Sequence, residues 1–353
     1  MRAPYRALLG VLILWPGPAN AVEKLPALGV EIDQTSVSGI SSGAFMAGQF
    51  QVAFSSLVVG AGIVAGGPYG CAETAWSELG LPTFGGFMNV GEATKVCMAA
   101  TAGQPDGRAL AEDAAAMARD SRIDPIAGLL DDRVYLFHGQ GDSVVAEPAV
   151  TAAEIFYRSL GVPSANLQTV YSLPAGRAGH ALIVVADGSA CDVNGPPFID
   201  ACDYDQAGEI LSWIYPDIDR NHGPGPATGE QLVFDQTEFL TGAVGYGVAR
   251  EGVVYIPATC REQPGCRVHI AFHGCLQSRT TDGFGDAFIE RTGYLGWADA
   301  NRLVILFPQT NANTAPNACW DWWGHASDDF LSRQAPQLSA VRAMLDRLAQ
   351  RPS

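Results

Sequence analysis

Short apolar runs of four or five residues alternate along this chain with segments that have a helical apolar pattern. An apolar run of this length between turn residues is typical of a strand that is buried on both faces. Strands that alternate with helices predict an α/β fold, with a mostly parallel sheet and helices on both faces. The candidate strands are Val134–Phe137, Ala181–Val185, Val253–Ile256, Val268–Phe272 and Leu303–Phe307, and the candidate helices are Ala44–Phe54, Ala149–Leu160, Ala207–Ile214 and Gln337–Leu348.

The first 21 residues have the pattern of an export signal. Arg2 and Arg6 accompany an apolar run that ends at Trp15, and Ala19-Asn20-Ala21 is a small-x-small cleavage site. The apolar run is much shorter than the roughly 20 residues of a membrane-spanning helix. We therefore expect cleavage after residue 21 and a secreted protein, extracellular or periplasmic, with one catalytic domain in residues 22–353.

The chain is acidic, with 37 Asp and Glu against 21 Lys and Arg. An acidic surface repels phosphate backbones and anionic lipid headgroups. No stretch after the leader is apolar enough over a sufficient length to span a bilayer. We therefore expect no nucleic-acid partner and no insertion into a membrane. As a separate expectation, the protein is a monomer.

Eight cysteines follow the leader. An even number of cysteines behind an export signal favours disulfides, because the protein then folds in an oxidising compartment. No Cys/His spacing matches a zinc site, so we expect neither a metal nor another cofactor. Proximity along the chain suggests four pairs, although other pairings remain open: Cys71–Cys97, Cys191–Cys202, Cys260–Cys266 and Cys275–Cys319.

Gly39-Ile40-Ser41-Ser42-Gly43 matches the Gly-x-Ser-x-Gly nucleophile elbow. In such an elbow the serine stands on a tight turn between a strand and a helix, where side chains two positions away would collide with the backbone. Gln34–Val37 can form the incoming strand, and the outgoing helix can start at Ala44. A Gly/Ser turn without catalytic function has the same pattern, so the motif alone makes Ser41 only a candidate nucleophile.

Two further motifs supply candidates for a catalytic acid and base. The apolar strand Arg133–Phe137 leads into a Gly-rich turn that ends at Asp142, and an α/β hydrolase carries its catalytic acid at such a position. The alternative is an aspartate that only stabilises the turn. His180 follows in a Gly-His-Ala loop. A lone histidine is more often structural, but the order Ser41, Asp142, His180 is the order of α/β hydrolases.

The loop that supplies an oxyanion-hole amide is displaced along the sequence. The strand Val268–Phe272 leads into His273-Gly274-Cys275, and in the common arrangement this His-Gly loop precedes the nucleophile elbow. Moving the residues from position 228 onward to the front restores the common order. The sequence therefore predicts a circularly permuted α/β-hydrolase fold whose joint lies near 217–228, where Gly, Pro and charged residues cluster.

Together these motifs resemble the circularly permuted, single-domain polyhydroxybutyrate (PHB) depolymerases, over nearly the whole mature chain. Several motifs in the same unusual order are much more specific than the elbow alone. The matching segments are Ser38–Met46, Gly66–Cys71, Ala178–His180, Cys202–Asp205, Phe272–Cys275 and Asn317–Trp323.

The resemblance implies a secreted esterase that hydrolyses poly(3-hydroxybutyrate) or its oligomers through an acyl-enzyme. It implies Ser41, Asp142 and His180 as the triad, and the backbone amides of Ser42 and Cys275 as the oxyanion hole. It also implies that one or more of three tryptophans bind the polyester substrate: Trp320, Trp322 and Trp323.

Two alternatives remain open at the level of the sequence. A carbohydrate esterase that releases feruloyl or acetyl groups shares the triad and the His-Gly-Cys loop. A secreted binding protein on a degenerate hydrolase fold needs no catalysis, but such a protein would be expected to lack a triad residue, and all three are present.

Overall fold

The structure is a computed structural model that describes residues 22–74, 84–218, 220, 223–240 and 246–352. The expected export signal, residues 1–21, lies outside the described residues, as do residues 219, 221 and 222 of the expected joint.

Two sheets and nine α-helices are formed by the described residues. In chain order the strands are β1 (Thr35–Ile40), β2 (Val58–Val64), β3 (Arg133–Phe137), β4 (Leu167–Val170), β5 (Leu182–Val184), β6 (Ser189–Ala190), β7 (Ile199–Ala201), β8 (Glu230–Asp235), β9 (Glu251–Ile256), β10 (Arg267–Phe272) and β11 (Leu303–Phe307). The helices are α1 (Ser42–Ala53), α2 (Phe84–Glu92), α3 (Gly107–Arg119), α4 (Glu147–Ser159), α5 (Gln206–Ile214), α6 (Ala258–Glu262), α7 (Ala287–Arg291), α8 (Tyr294–Asn301) and α9 (Pro336–Ala349).

The central sheet has eight strands in the order β4-β3-β2-β1-β10-β11-β9-β8. The strand β9 runs antiparallel to both of its neighbours, β8 and β11, and the other pairings are parallel. If the strands are followed from β8 to β11 and then from β1 to β4, the chain crosses the sheet from one edge to the other, and only β10 and β11 are out of order. Read from β1, it jumps from one edge to the other after β4. The topology confirms the permuted fold expected from the motif order.

Helices cover both faces of the central sheet. Alternate residues of a strand point to opposite faces, and Val134 and Leu136 of β3 belong to one buried cluster while Tyr135 and Phe137 belong to another. The first cluster also contains residues of α1, α3, α4 and α9, and the second contains residues of α5, α7 and α8. This confirms the predicted layers.

The helix α1, which follows the elbow, is buried along its whole length. All of its residues, including two glutamines, lie in the interior. Gln49 donates from Nε2 to Phe330 O at 2.6 Å, and Gln51 donates from Nε2 to Asp132 Oδ2 at 2.7 Å. Burial on all sides holds the elbow end of α1 in one position against the sheet.

Two parts of the sequence-based assignment differ from the structure. The run Ala181–Val185 was expected in the main sheet, but β5 pairs with β7 in a separate three-stranded sheet. The strand β2 was missed, because Gly60 and Gly62 interrupt its apolar run. They are needed there: a Cβ atom on Gly62 would lie 2.7 Å from a methyl carbon of Ile210 in α5.

All eight cysteines form disulfides in the structure, in the pairs Cys71–Cys97, Cys191–Cys202, Cys260–Cys266 and Cys275–Cys319. The last bridge joins the loop after β10 to the tryptophan-rich segment, and closing a loop of this length stabilises by about 4 kcal/mol in the chain-entropy model. In the part of the chain that the structure describes, no helix has both the length and the apolar character needed to cross a membrane.

Candidate active site

Ser41 stands between β1 and α1 with a backbone φ of 56°, in the left-handed region that non-glycine residues rarely adopt. A Cβ atom on Gly39 would lie 2.2 Å from Gly43 O, and one on Gly43 would lie 2.3 Å from Phe272 O. Both glycines are therefore required by close backbone approaches. The Ser41 N–H donates to Val64 O at 2.9 Å, which ties the turn to β2.

Asp142 and His180 are joined by a hydrogen bond of 2.8 Å from His180 Nδ1 to Asp142 Oδ2. The other carboxylate oxygen accepts the N–H groups of Val144 and Val145 at 2.8 and 2.9 Å. Because the carboxylate accepts, the proton of the neutral imidazole lies on Nδ1. The Nε2 lone pair is then free to act as a base.

The loops that carry Asp142 and His180 pack closely through their glycines. A Cβ atom on Gly139 would lie 2.4 Å from Ala178 O, and one on Gly179 would lie 2.2 Å from Val193 O. The side chain of Asn194 lies between the two loops, where it accepts the His180 backbone N–H at 2.9 Å. Sequence reasoning missed Asn194, because no local motif marks a residue that acts through distant backbone groups.

The loop after β10 is held by His273, whose side chain is fully buried. Its Nδ1 donates to Gly274 O at 2.8 Å, and its Nε2 accepts the Thr310 N–H at 3.3 Å. Burial lowers the pKa of His273 to about 4, so the ring is neutral at ordinary pH. Gly274 O and the Cys275 N–H lie on opposite sides of one trans peptide, so fixing the carbonyl also orients the amide.

The expected oxyanion hole consists of the backbone amides of Ser42 and Cys275. Ser42 is the first residue of α1, so its N–H has no acceptor within the helix, and this end of the helix favours negative charge. Cys275 lines the same cavity as Ser41 and His180. Gln277 braces its loop by accepting the Gly274 N–H at 2.7 Å and by donating to Pro197 O at 3.0 Å.

A cavity of about 420 Å³ opens over Ser41 and His180, a size that suits a small-molecule segment. Most of its wall is apolar, which favours a substrate with aliphatic groups. The apolar side chains come from the elbow helix, the α2 region, the acid loop, the loop before β7 and the loops after β10 and β11. They include Phe45, Val90, Met98, Val144, Val145, Phe198, Leu276, Pro316, Trp322 and Trp323.

The three tryptophans lie in different environments. Trp322 stacks on Phe45 with ring centroids 4.0 Å apart, and Trp323 meets Trp322 edge to face. Both line the cavity. Trp320 is instead fully buried against Phe272 and does not reach the cavity wall. Of the three tryptophans, Trp322 and Trp323 are therefore placed where a substrate in the cavity could reach them, and their contact with substrate stays a prediction.

Asp321 shapes the turn that carries the cavity tryptophans. The residue is 4% exposed, and its side chain sits inside a ring of backbone amides. The carboxylate accepts four backbone N–H groups, those of Gly324, His325, Ala326 and Ser327. Four bonds to one buried carboxylate fix the path of the chain directly after Trp322 and Trp323.

Two curated proteins are similar to this chain in sequence. A poly(3-hydroxybutyrate) depolymerase of Delftia acidovorans is 39% identical over 349 residues, which cover 97% of this chain and 64% of that protein, less than two thirds of its length. A polyhydroxybutyrate depolymerase of Talaromyces funiculosus is 31% identical over 336 residues, which cover 91% of both chains. No model of a known protein family matches the chain.

Two solved structures of PHB depolymerases are similar to this chain in fold. The crystal structure of PHB depolymerase from Penicillium funiculosum has a TM-score of 0.79 and 29% sequence identity, and the match covers 92% of this chain and 98% of that one. A serine-to-alanine variant of a PHB depolymerase in complex with an R3HB trimer matches with the same values.

Proposed function

The chain belongs to the polyhydroxybutyrate depolymerase family, and from this premise we propose that it is a secreted serine esterase acting on poly(3-hydroxybutyrate) or its oligomers. The observation that supports this proposal most strongly is one apolar cavity that both Ser41 and His180 line, with His180 hydrogen-bonded to Asp142. Nucleophile, base and acid are the three groups that acyl transfer requires.

The first half-reaction forms an acyl-enzyme. The Nε2 of His180 takes the Ser41 hydroxyl proton while Oγ attacks the ester carbonyl carbon. Asp142 holds the imidazole tautomer and stabilises the imidazolium. The N–H groups of Ser42 and Cys275 donate to the oxyanion, and one such donor is typically worth about 3 kcal/mol. Collapse of the tetrahedral intermediate completes this half-reaction: the C–O bond to the leaving 3-hydroxyl group breaks, and His180 gives that oxygen its proton.

The second half-reaction frees the enzyme. Water then enters, His180 takes one of its protons, and the hydroxide attacks the acyl carbon. Collapse of the second intermediate returns the proton to Ser41 Oγ and releases the carboxylic acid product.

A polyester chain suits the character of the cavity wall. Poly(3-hydroxybutyrate) carries a methyl group on each unit and offers no hydroxyl donors along its length. Trp322 and Trp323 provide flat apolar surface for such a chain, and an indole N–H can in addition donate to an ester carbonyl. A carbohydrate esterase would need polar groups for sugar hydroxyls, and this cavity exposes mainly apolar side chains.

The test of this proposal compares substrates under one set of conditions. The purified enzyme should release 3-hydroxybutyrate from the R-3-hydroxybutyrate trimer and from amorphous PHB, and Ser41→Ala should release none. Methyl ferulate and acetylated xylan should be much poorer substrates. Ferulate release that exceeds hydroxybutyrate release would instead assign the carbohydrate-esterase alternative.

The secreted location is part of the same proposal. Four disulfides suit an oxidising compartment, which supports export of the chain. Amino-terminal sequencing of protein from the periplasm or the medium should give Val22 as the first residue. Full-length protein in the cytosol would contradict export. Size-exclusion chromatography should show a monomer.

A further inference from the structure

Asn194 fills the space between the loop of the acid and the loop of the base. We propose that Asn194 is a positioning residue that holds Asp142 and His180 in hydrogen-bonding register, an inference that rests on the proposed esterase function. Its side-chain amide makes four backbone hydrogen bonds: it accepts from the N–H groups of Ser143 and His180, both at 2.9 Å, and donates to Gly141 O at 3.0 Å and Asp192 O at 3.2 Å.

The four partners leave only one orientation for the amide. Backbone N–H groups can only donate, so the Ser143 and His180 amides must face Oδ1. Backbone carbonyls can only accept, so Gly141 O and Asp192 O must face Nδ2. All four hydrogen-bonding positions of the side chain are used, two as acceptor and two as donor. Aspartate would lose both donors, and leucine of similar size would lose all four bonds.

These bonds act beside the catalytic groups themselves. Gly141 and Ser143 flank Asp142, and the His180 bond is to that residue's own N–H. One further bond links the loops directly, from the Gly141 N–H to Ala178 O at 2.7 Å. It fixes their distance at one point, whereas the amide of Asn194 resists rotation of one loop against the other. A misplacement of about 1 Å in such a pair can cost on the order of 10²-fold in rate.

Asn194 is itself held by nearby covalent and backbone links. The bridge Cys191–Cys202 anchors its segment to the small sheet, and the Gly179 N–H donates to Cys191 O at 2.8 Å. Asn194 also lines the catalytic cavity and is only partly buried. A substitution there removes the side-chain bonds while the anchored backbone stays in place, so the effect on catalysis can be separated from folding.

The experiment measures p-nitrophenyl butyrate hydrolysis by Asn194→Leu and Asn194→Asp across pH. Asn194→Leu should lower kcat by about 10- to 100-fold with KM within about twofold. The acid limb of kcat/KM reports the pKa of the base. It should move to lower pH in Asn194→Leu, because a misaligned Asp142 stabilises the imidazolium less. It should move to higher pH in Asn194→Asp, which adds a negative charge beside His180.

Asn301→Leu is the matched control, because Asn301 is also half-buried but donates only to Trp297 O at the end of α8. Its kcat and acid limb should stay as in the wild type. A wild-type kcat in Asn194→Leu would overturn the proposal. The proposal would also be overturned if kcat of Asn194→Leu fell only in proportion to the folded fraction, measured by near-UV circular dichroism, and the acid limb of kcat/KM did not move. The small ester tests only the triad. A wild-type enzyme that hydrolyses this ester but not the hydroxybutyrate trimer would therefore contradict the proposed substrate and not the role of Asn194.

Discussion

The two halves of the candidate active site are held in place by different means. The nucleophile half stands on the central sheet, where Gly39 and Gly43 let the backbone of the elbow press against β10. The base half lies outside that sheet, where His180 precedes the short strand β5 and is held by Asn194 and its loop. The nucleophile half is fixed mainly by close backbone contacts at its glycines, whereas the base half, which has such contacts at Gly139 and Gly179, depends in addition on the side-chain hydrogen bonds that Asn194 makes between loops.

This difference bears on how each half responds to change. A backbone clash cannot relax without moving β10, so the nucleophile half should fail completely when it is disturbed. Hydrogen bonds to loops can be lost one at a time, so the base half should lose rate in steps. The following predictions test this contrast, from the largest effect to the smallest.

Gly43→Ala should have the largest effect. Its Cβ would lie 2.3 Å from Phe272 O and 2.4 Å from His273 O, both of them backbone atoms. We expect destabilisation above about 4 kcal/mol, seen as a large fall in soluble yield and in the unfolding midpoint, with no measurable esterase activity. Gly48→Ala in the same helix is the control, because its Cβ would meet only side-chain atoms, a methyl carbon of Ile63 at 3.4 Å and the hydroxyl of Tyr157 at 3.8 Å. Equal stability of the two variants would remove the steric account of the elbow.

Asp142→Asn should lower kcat by roughly 10³- to 10⁴-fold while the fold is kept. The N–H groups of Val144 and Val145 need an oxygen acceptor, so the new amide nitrogen would face His180. That contact places the imidazole proton on Nε2 and removes the base. Steady-state kinetics on p-nitrophenyl butyrate measures the loss. The control is Asp132→Asn, which changes a buried carboxyl group bonded to Gln51 at the other end of β3. This variant should keep full activity. A small effect at Asp142 would mean that another group orients His180.

The nucleophile half should also be the acid-sensitive half. Burial lowers the pKa of His269 to about 3 and of His273 to about 4. The unfolded chain, with histidine pKa near 6.5, then binds protons that the folded chain does not. The stability that depends on these two neutral rings is therefore complete above pH 6.5 and is lost as pH falls towards 4, by up to about 1.4 kcal/mol per pH unit for each histidine.

His269→Gln tests this acid sensitivity, because it removes one of the two titrating rings. Its bonds to the Ser36 and Ser38 hydroxyls, both 2.7 Å, do not require a charge. Urea unfolding between pH 4 and 7 should show a shallower loss of stability in the variant, by about one proton. Parallel curves for variant and wild type would show that acid acts elsewhere.

The smallest effect should come from the cavity tryptophans. Trp322→Ala or Trp323→Ala should raise KM for the hydroxybutyrate trimer by roughly tenfold and change kcat less, since stacking binds ground and transition states alike. Hydrolysis of p-nitrophenyl butyrate should be nearly normal. Trp320→Ala should instead lower the unfolding midpoint, because that indole fills the core. Equal losses on the trimer and the small ester would make Trp322 and Trp323 structural.

The sequence predicted what depends on local pattern. The permuted fold followed from the order of the elbow and the His-Gly loop, and the elbow glycines stand where backbone contact excludes any side chain. Asp142 and His180, predicted from chain order and loop setting, meet in the structure at 2.8 Å. Each of these features rests on a short motif or on the order of such motifs along the chain.

What the sequence did not predict depends on distant partners. Asn194 acts through backbone groups up to 53 positions away and belongs to no local motif. The burial of Trp320 is set by Phe272 of β10, which pairs with β1 only in the folded sheet. The run Ala181–Val185 has the composition of a main-sheet strand, but its place in a separate sheet is decided by pairing with β7.

The central claim is that Ser41 is the nucleophile of a serine esterase. Labelling with a fluorophosphonate, followed by peptide mass spectrometry, tests it most directly. The wild type and Ser42→Ala should each carry one phosphonate, located at Ser41 by fragmentation of the peptide that contains it, because the Ser42 side chain has no part in the attack. Ser41→Ala should carry none, and its turnover should fall by on the order of 10⁴- to 10⁶-fold. A label on any other residue, or an active Ser41→Ala, would contradict the account.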